Sequence, residues 1–168
     1  MDRQQVLLAK SLDASGVPLS VASFDERLIL QKAVYLIQSA GIRLGYRFRW
    51  YIRGPYSPEM TADAFAIING GEGTKEELKA WKLDETSEAI GRKLKPLLLR
   101  VSETTDAKAR RFELLASTLF LFNTKQADPE LPDETSNILI KNGKDFTSDD
   151  VRNAVSEMRK YGFIAQSS

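Results

Sequence analysis

Residues 24–40 carry apolar side chains round nearly the whole circumference of one helix. Leu28, Ile29, Leu30, Ala33, Val34, Tyr35, Leu36, Ile37 and Ala40 leave Arg27, Gln31 and Gln38 as a narrow polar stripe at 100° per residue. A helix apolar on nearly every side belongs in the middle of a domain. Ser23 stands where an N-cap would, with Glu26 at capping-box spacing. After Gly41 and Gly45 the period changes to alternation. Phe48, Trp50 and Ile52 fall on one face, and Arg47, Arg49, Tyr51 and Arg53 on the other. Gly54-Pro55-Tyr56-Ser57-Pro58 then reads as a turn, with Ser57 capping a helix whose first positions are Pro58 and Glu59.

The flanking segments follow the same logic. Residues 2–15 pattern as a short amphipathic helix stopped by Gly16 and Pro18. Asn69-Gly70-Gly71 ends the helix begun at Pro58, and 69–74 reads as a flexible link. Residues 75–84, with Trp81 and Leu83, read as a short extended piece paired with 48–52 in an antiparallel ribbon. Residues 87–101 are helical, with a kink or break expected at Pro96. A buried helix is expected over 106–123 and a short one over 132–142. The last helix is bounded by Thr147 with Asp150 at its N-terminus and Gly162-Phe163 at its end, with Phe146 and Val151 as a hydrophobic staple. The expected architecture is mainly α: a compact helical single domain over 1–168, with a small two-stranded antiparallel β element in a winged-helix-like manner.

Composition narrows the chemistry. The chain has 168 residues, is 42% hydrophobic and 28% charged, and carries a net charge of +1, so only local patches can select a charged partner. It has no cysteine and no histidine. Disulfides, cysteine nucleophiles and Ser-His-Asp catalysis are therefore excluded, as is most zinc and haem chemistry. A reducing cytoplasm is the expected location, since the N-terminal residues are too polar for a signal peptide and no apolar run is long enough to span a membrane. No phosphate loop is present, and no pairing of Glu26 or Glu59 with Arg53 or Tyr56 fixes a catalytic geometry. The expectation is a protein without catalytic residues, metal or cofactor.

Two motifs carry a resemblance. Leu30-Gln31-Lys32-Ala33-Val34-Tyr35-Leu36, followed by Tyr51-Ile52-Arg53-Gly54-Pro55-Tyr56-Ser57-Pro58-Glu59, resembles the YwgA-like bacterial and archaeal proteins. More distantly it is similar to the Panacea domain of SocA-like antitoxins. Residues 107–123 and the ending from Asp145 to Ile164 fit the same pattern, while Ile52-Arg53 stand where relatives often have an aromatic residue. Panacea domains are described as neutralising partners in toxin–antitoxin pairs. The resemblance thus implies a regulatory or antitoxin-like protein that binds a partner protein, such as a cognate toxin or defence component. The surface it implies lies around Gln31, Lys32, Tyr35 and the Gly54–Glu59 turn with Tyr56 and Glu59, and the residue pattern adds the strand face of Arg47, Arg49, Tyr51 and Arg53 to it. Tyrosine anchors and arginines are the residue types enriched at binding hot spots.

Each constellation has a plainer reading beside this one. The arginine face is equally the solvated outer face of an edge strand, where charge discourages aggregation. The stripe on the central helix is equally an internal hydrogen-bonded network. A different class of function, nucleic-acid binding, would draw on Arg43, Arg47, Arg49 and Arg53 together with Lys93, Lys95, Arg110 and Arg111. The helical pair 132–142 and 148–161 has helix-turn-helix spacing, but its acidic residues outnumber the basic ones and would face phosphates, which argues against groove reading.

Overall fold

The computed structural model describes residues 1–167. Among them are eight helices and one two-stranded sheet, with the apolar helix at the centre as its pattern predicts. The N-terminal helix α1 spans Arg3–Ala14 and the central helix α2 spans Phe24–Ser39. Strands β1 (Arg49–Tyr51) and β2 (Gly54–Tyr56) follow, then α3 (Pro58–Asn69) and α4 (Gly71–Lys79). The chain ends with α5 (Glu85–Leu98), α6 (Thr105–Asn123), α7 (Pro132–Lys141) and α8 (Ser148–Lys160).

Every residue of α2 from Leu28 to Ile37 is buried. Its main neighbour is α6, whose Phe112, Ala116 and Leu119 are fully enclosed. One side of this pair takes α1, which also packs on α3 and α5; α8 covers α6, and the hairpin lies across both α2 and α6. The fold is mainly helical with a small antiparallel ribbon, as expected.

The ribbon itself differs from expectation. Its partner strand is not 75–84 but 54–56, in the register Arg49↔Tyr56, Trp50↔Pro55 and Tyr51↔Gly54. The chain reverses at Ile52-Arg53, and Gly54-Pro55-Tyr56, expected as a turn, is the second strand. Gly54 makes this possible in two ways. Its φ of +95° is left-handed, and a Cβ there would lie 2.3 Å from Ser117 Oγ on α6. Pro55 is tolerated because a two-stranded sheet consists only of edges.

The expected flexible link and extended piece over 69–84 are largely α4. Its helix-forming Lys, Glu and Leu prevail over the Gly pair, and Glu72–Lys75 and Glu76–Lys79 support it at i,i+3. Helix α5 runs unbroken through Pro96, which falls in its last turn and removes only one backbone bond. Ser23 caps α2, but Glu26 does not complete a box; its carboxylate instead accepts from Ala22 N–H at 3.2 Å and from the Ser20 hydroxyl. The C-terminal pair follows its sequence closely. Thr147 and Asp150 form a full capping box, and Phe146 and Val151 are buried. Gly162 (φ +80°) ends α8 with bonds from Phe163 N–H to Met158 O (2.9 Å) and Gly162 N–H to Arg159 O (3.2 Å), the two bonds of a Schellman motif.

Candidate functional site

The connection from α2 to α3 has little sheet to satisfy its backbone, and side chains take over that role. Gln38 donates from Nε2 to Tyr46 O (2.8 Å) and accepts from Tyr46 N–H (2.9 Å). Gln31 does the same one end further along, donating to Ser57 O (3.0 Å) and accepting from Ser57 N–H (2.9 Å). Each amide thus offers one peptide the donor and acceptor that a neighbouring strand would supply. Gln4 donates to Leu44 O (2.9 Å), and Tyr46 Oη donates to Asp63 (2.8 Å), whose other oxygen accepts from Gln5 (3.1 Å). Gln31 and Gln38 of the polar stripe thus form an internal network, while Arg27 at its N-terminal end stays exposed.

Charge fixes the hairpin as well. Lys32, 2% exposed, donates to Pro55 O at 2.6 Å. From beyond α7, Lys144 donates to Ile52 O (2.8 Å) and to Glu113 (3.0 Å). Arg53 at the turn meets the other Glu113 oxygen through Nε and an Nη, both at 3.0 Å. One turn carbonyl, one strand carbonyl and one buried carboxylate are therefore held by three cationic side chains. Desolvation lowers the Lys32 ammonium to about 7, with Lys144 adding repulsion and Glu113 opposing it. Lys144 is lowered too, mainly by desolvation, against the stabilising bond to Glu113.

Above this cluster the hairpin and the first turns of α2 frame a half-open groove of about 490 Å³. Leu28, Gln31, Lys32 and Gly54 are buried residues of its lining, and Phe24, Tyr51, Ile52, Arg27 and Arg53 are exposed ones. Phe24, Tyr51 and Ile52 are 55%, 61% and 77% exposed, an unusual concentration of apolar surface for so small a region. Arg53 also lies over the Phe24 ring, at 5.7 Å. The size matches the ~300–1,000 Å³ of typical ligand clefts.

The residues expected at a partner surface divide into two sets. Gln31, Lys32 and Tyr35 are buried; Tyr35 sits edge-on to Phe48, accepts from Asn123 (3.0 Å), and has its phenol pKa raised by burial. Gln31 and Lys32 shape the groove from beneath, whereas Tyr35 belongs to the core. Arg47, Arg49, Tyr51, Arg53 and Glu59 are exposed, and Tyr56 is half-buried with its ring stacked on Tyr51 at 5.4 Å. The Glu59 carboxyl is lowered by its own backbone N–H, by Ser57 and by nearby Arg47 and Arg49, which places that acid beside the arginines.

Of the residues expected for nucleic acid, Arg43, Arg47, Arg49, Lys93 and Lys95 are exposed. Arg53 is paired with Glu113, and Arg111 with Glu103 (2.7 and 2.8 Å) and Leu97 O (2.7 Å). Arg110 donates to Asp145 O at 2.7 Å and lies 4.6 Å over the Phe146 ring. Of the helical residues, Arg110 and Arg111 are engaged within the fold, while Lys93 and Lys95 stay exposed.

The sequence pattern singles out Arg27 in the polar stripe but does not mark Phe24, Ile52, Glu113 or Lys144 as site residues. The alternation puts Ile52 on one face with Phe48 and Trp50, but the turn at 52–53 breaks it and exposes Ile52. Glu113 did leave a signal, a lone carboxylate inside the otherwise apolar run Phe112–Phe122. Lys144 left none. Among the described residues, no group of three or more metal-ligating side chains comes together, and no helix is long and apolar enough to cross a membrane. No family model, curated protein or solved structure matches the chain, so the site is read from its own geometry.

Proposed function

We propose that this chain is a non-catalytic regulatory protein of antitoxin-like type, which acts in the cytoplasm by seating part of a partner protein in the groove between α2 and the hairpin. The observation that carries this reading is the exposed apolar rim of Phe24, Tyr51 and Ile52 around a preformed cleft whose floor is locked by Gln31, Lys32 and Glu113. Rigid aromatic rims with arginine beside them are what protein interfaces use as anchors. The YwgA-like and Panacea-like motifs fall on the same elements: 30–36 forms the floor helix and 51–59 the hairpin. That coincidence supports neutralisation or delivery of a partner over enzymatic work.

The test is capture from the source cells after nuclease treatment, comparing wild type with Ile52→Asp and with Val101→Asp as an exposed control remote in sequence. The reading expects a protein partner that survives nuclease, persists with Val101→Asp and is lost with Ile52→Asp. Recovery of nucleic acid alone, lost when Arg47 and Arg49 are changed to Glu, would replace it with the nucleic-acid alternative. A partner retained by Ile52→Asp would move the interface elsewhere.

A further inference from the structure

The groove is electrically one-sided. Its lining holds Arg27, Lys32 and Arg53 and no aspartate or glutamate. Glu113, below, already serves both Lys144 and Arg53. Asp25 lies near Arg53, but its carboxyl sits against that of Asp106, which raises it. Arg27 donates only to Val21 O (2.9 Å), and Lys32 uses one of its three donors on Pro55 O. A buried ammonium with no carboxylate of its own is costly unless something arrives to meet it.

Resting on the partner-binding reading, we propose that the groove recognises an acidic–apolar segment of the partner: an aspartate or glutamate carboxylate among Arg27, Lys32 and Arg53, flanked by a bulky apolar side chain against Leu28, Phe24 and Ile52. The two halves of the lining call for those two chemistries side by side. Nucleic acid would satisfy the cations and stack on Phe24 or Tyr51 but leave the aliphatic Leu28 and Ile52 unmatched, and a wholly apolar segment would seal Lys32 away unpaired. The carboxylate also restores the Lys32 proton. Desolvation, Lys144 and Arg53 disfavour that proton and Glu113 favours it, so an added anion raises the affinity of the amine for it. Binding at pH 8 therefore takes up protons from solution.

The experiment selects displayed random heptapeptides on the full chain, then measures synthetic peptides by calorimetry at pH 8 in Tris and in phosphate. The expected peptides carry Asp or Glu next to Leu, Ile, Phe or Trp. Replacing that acid by its amide weakens binding about ten-fold or more, the size of a charge-assisted bond. Arg27→Ala, an exposed change that leaves the floor intact, weakens it similarly, and the two buffers report net proton uptake that Lys32→Met removes. If Lys32→Met does not fold, Arg27→Ala and the peptide amide carry the test. Selected peptides without acids that still fail on Ile52→Asp would overturn the charge inference while leaving the groove as the seat. Peptides that bind Ile52→Asp as well as wild type, or no selected peptides at all, would overturn the seat itself. Octanoate binding the groove as tightly as the best peptide would replace the partner segment with a small apolar acid.

Discussion

The hairpin and the C-terminal helical pair both rest on α6, yet they are held there by opposite means. Helices α7 and α8 use contacts a few residues apart: a capping box, a staple, a Schellman stop, and the buried stripe Val151, Ala154, Val155 and Met158. Their charges stay outside, as in Arg152 with Asp133 and Asp149. The hairpin has three residues per strand and little apolar surface facing inward. It is fastened by buried Lys32, Lys144 and Glu113, which reach it from three separate parts of the chain. The first region is held by apolar helix packing and local caps. In the second, polar fastening leaves the apolar residues of the turn free to point outward, which is what a binding rim needs.

The sharpest way to break this contrast is Glu113→Gln. The change leaves Lys144 and Arg53 without their carboxylate, and removing one partner of a buried pair costs about 3–5 kcal/mol. Urea unfolding should show a loss of that order. A loss below about 1 kcal/mol would mean that the cations are held well enough by carbonyls, and the hairpin would then not depend on its charges.

The second effect follows pH. Lys32 holds its proton less tightly in the folded chain than in the unfolded one, and the same direction applies to Lys144. Between pH 7 and pH 9 the unfolded chain therefore binds more protons, and stability rises with pH, by up to about 1.4 kcal/mol per unit from Lys32. Below pH 7 this contribution levels off, because Lys32 is then protonated in both states. Denaturation midpoints measured at intervals across pH 6–9 check the sign, and Lys32→Met should flatten the slope. A midpoint that falls over pH 7–9 would contradict the buried-ammonium account.

Thr147→Ala sits on the other side of the comparison. It removes the side-chain acceptor for Asp150 N–H (3.1 Å) at the start of α8, and the expected loss is about 1 kcal/mol by thermal or urea unfolding. The same region shows why sequence served it so well. Its signals span a few residues, so Thr147, Asp150, Gly162 and Phe163 can be read without knowing any other part of the chain. The central helix was legible for a similar reason, through its apolar circumference. The ribbon's partner strand and the groove floor were not. Pro55 and two glycine-bounded segments hid the strand, and Lys144 reaches Ile52 across 92 residues with nothing in its neighbours to announce it. Gln31 and Lys32 stand out in the sequence as polar residues on an apolar helix, but burial turns their polar groups toward the hairpin backbone.

Arg152→Ala is the smallest change and the cleanest control. Its guanidinium bridges Asp149 at 2.7 Å and Asp133 at 3.2 Å, distances as short as those around Glu113. The side chains are 52%, 87% and 76% exposed, so water and salt already solvate each partner and the loss should be within about 0.5 kcal/mol. Distance alone would rank the two clusters as equals; burial separates them by several-fold. If Arg152→Ala cost as much as Glu113→Gln, the C-terminal pair would be ion-pair dependent as well, and the division of labour between the two faces of α6 would fail. Measured in the same urea series at low and at 0.5 M salt, Arg152→Ala should approach wild type as salt rises, while the Glu113→Gln loss should persist, because screening acts on exposed charges and hardly reaches buried ones.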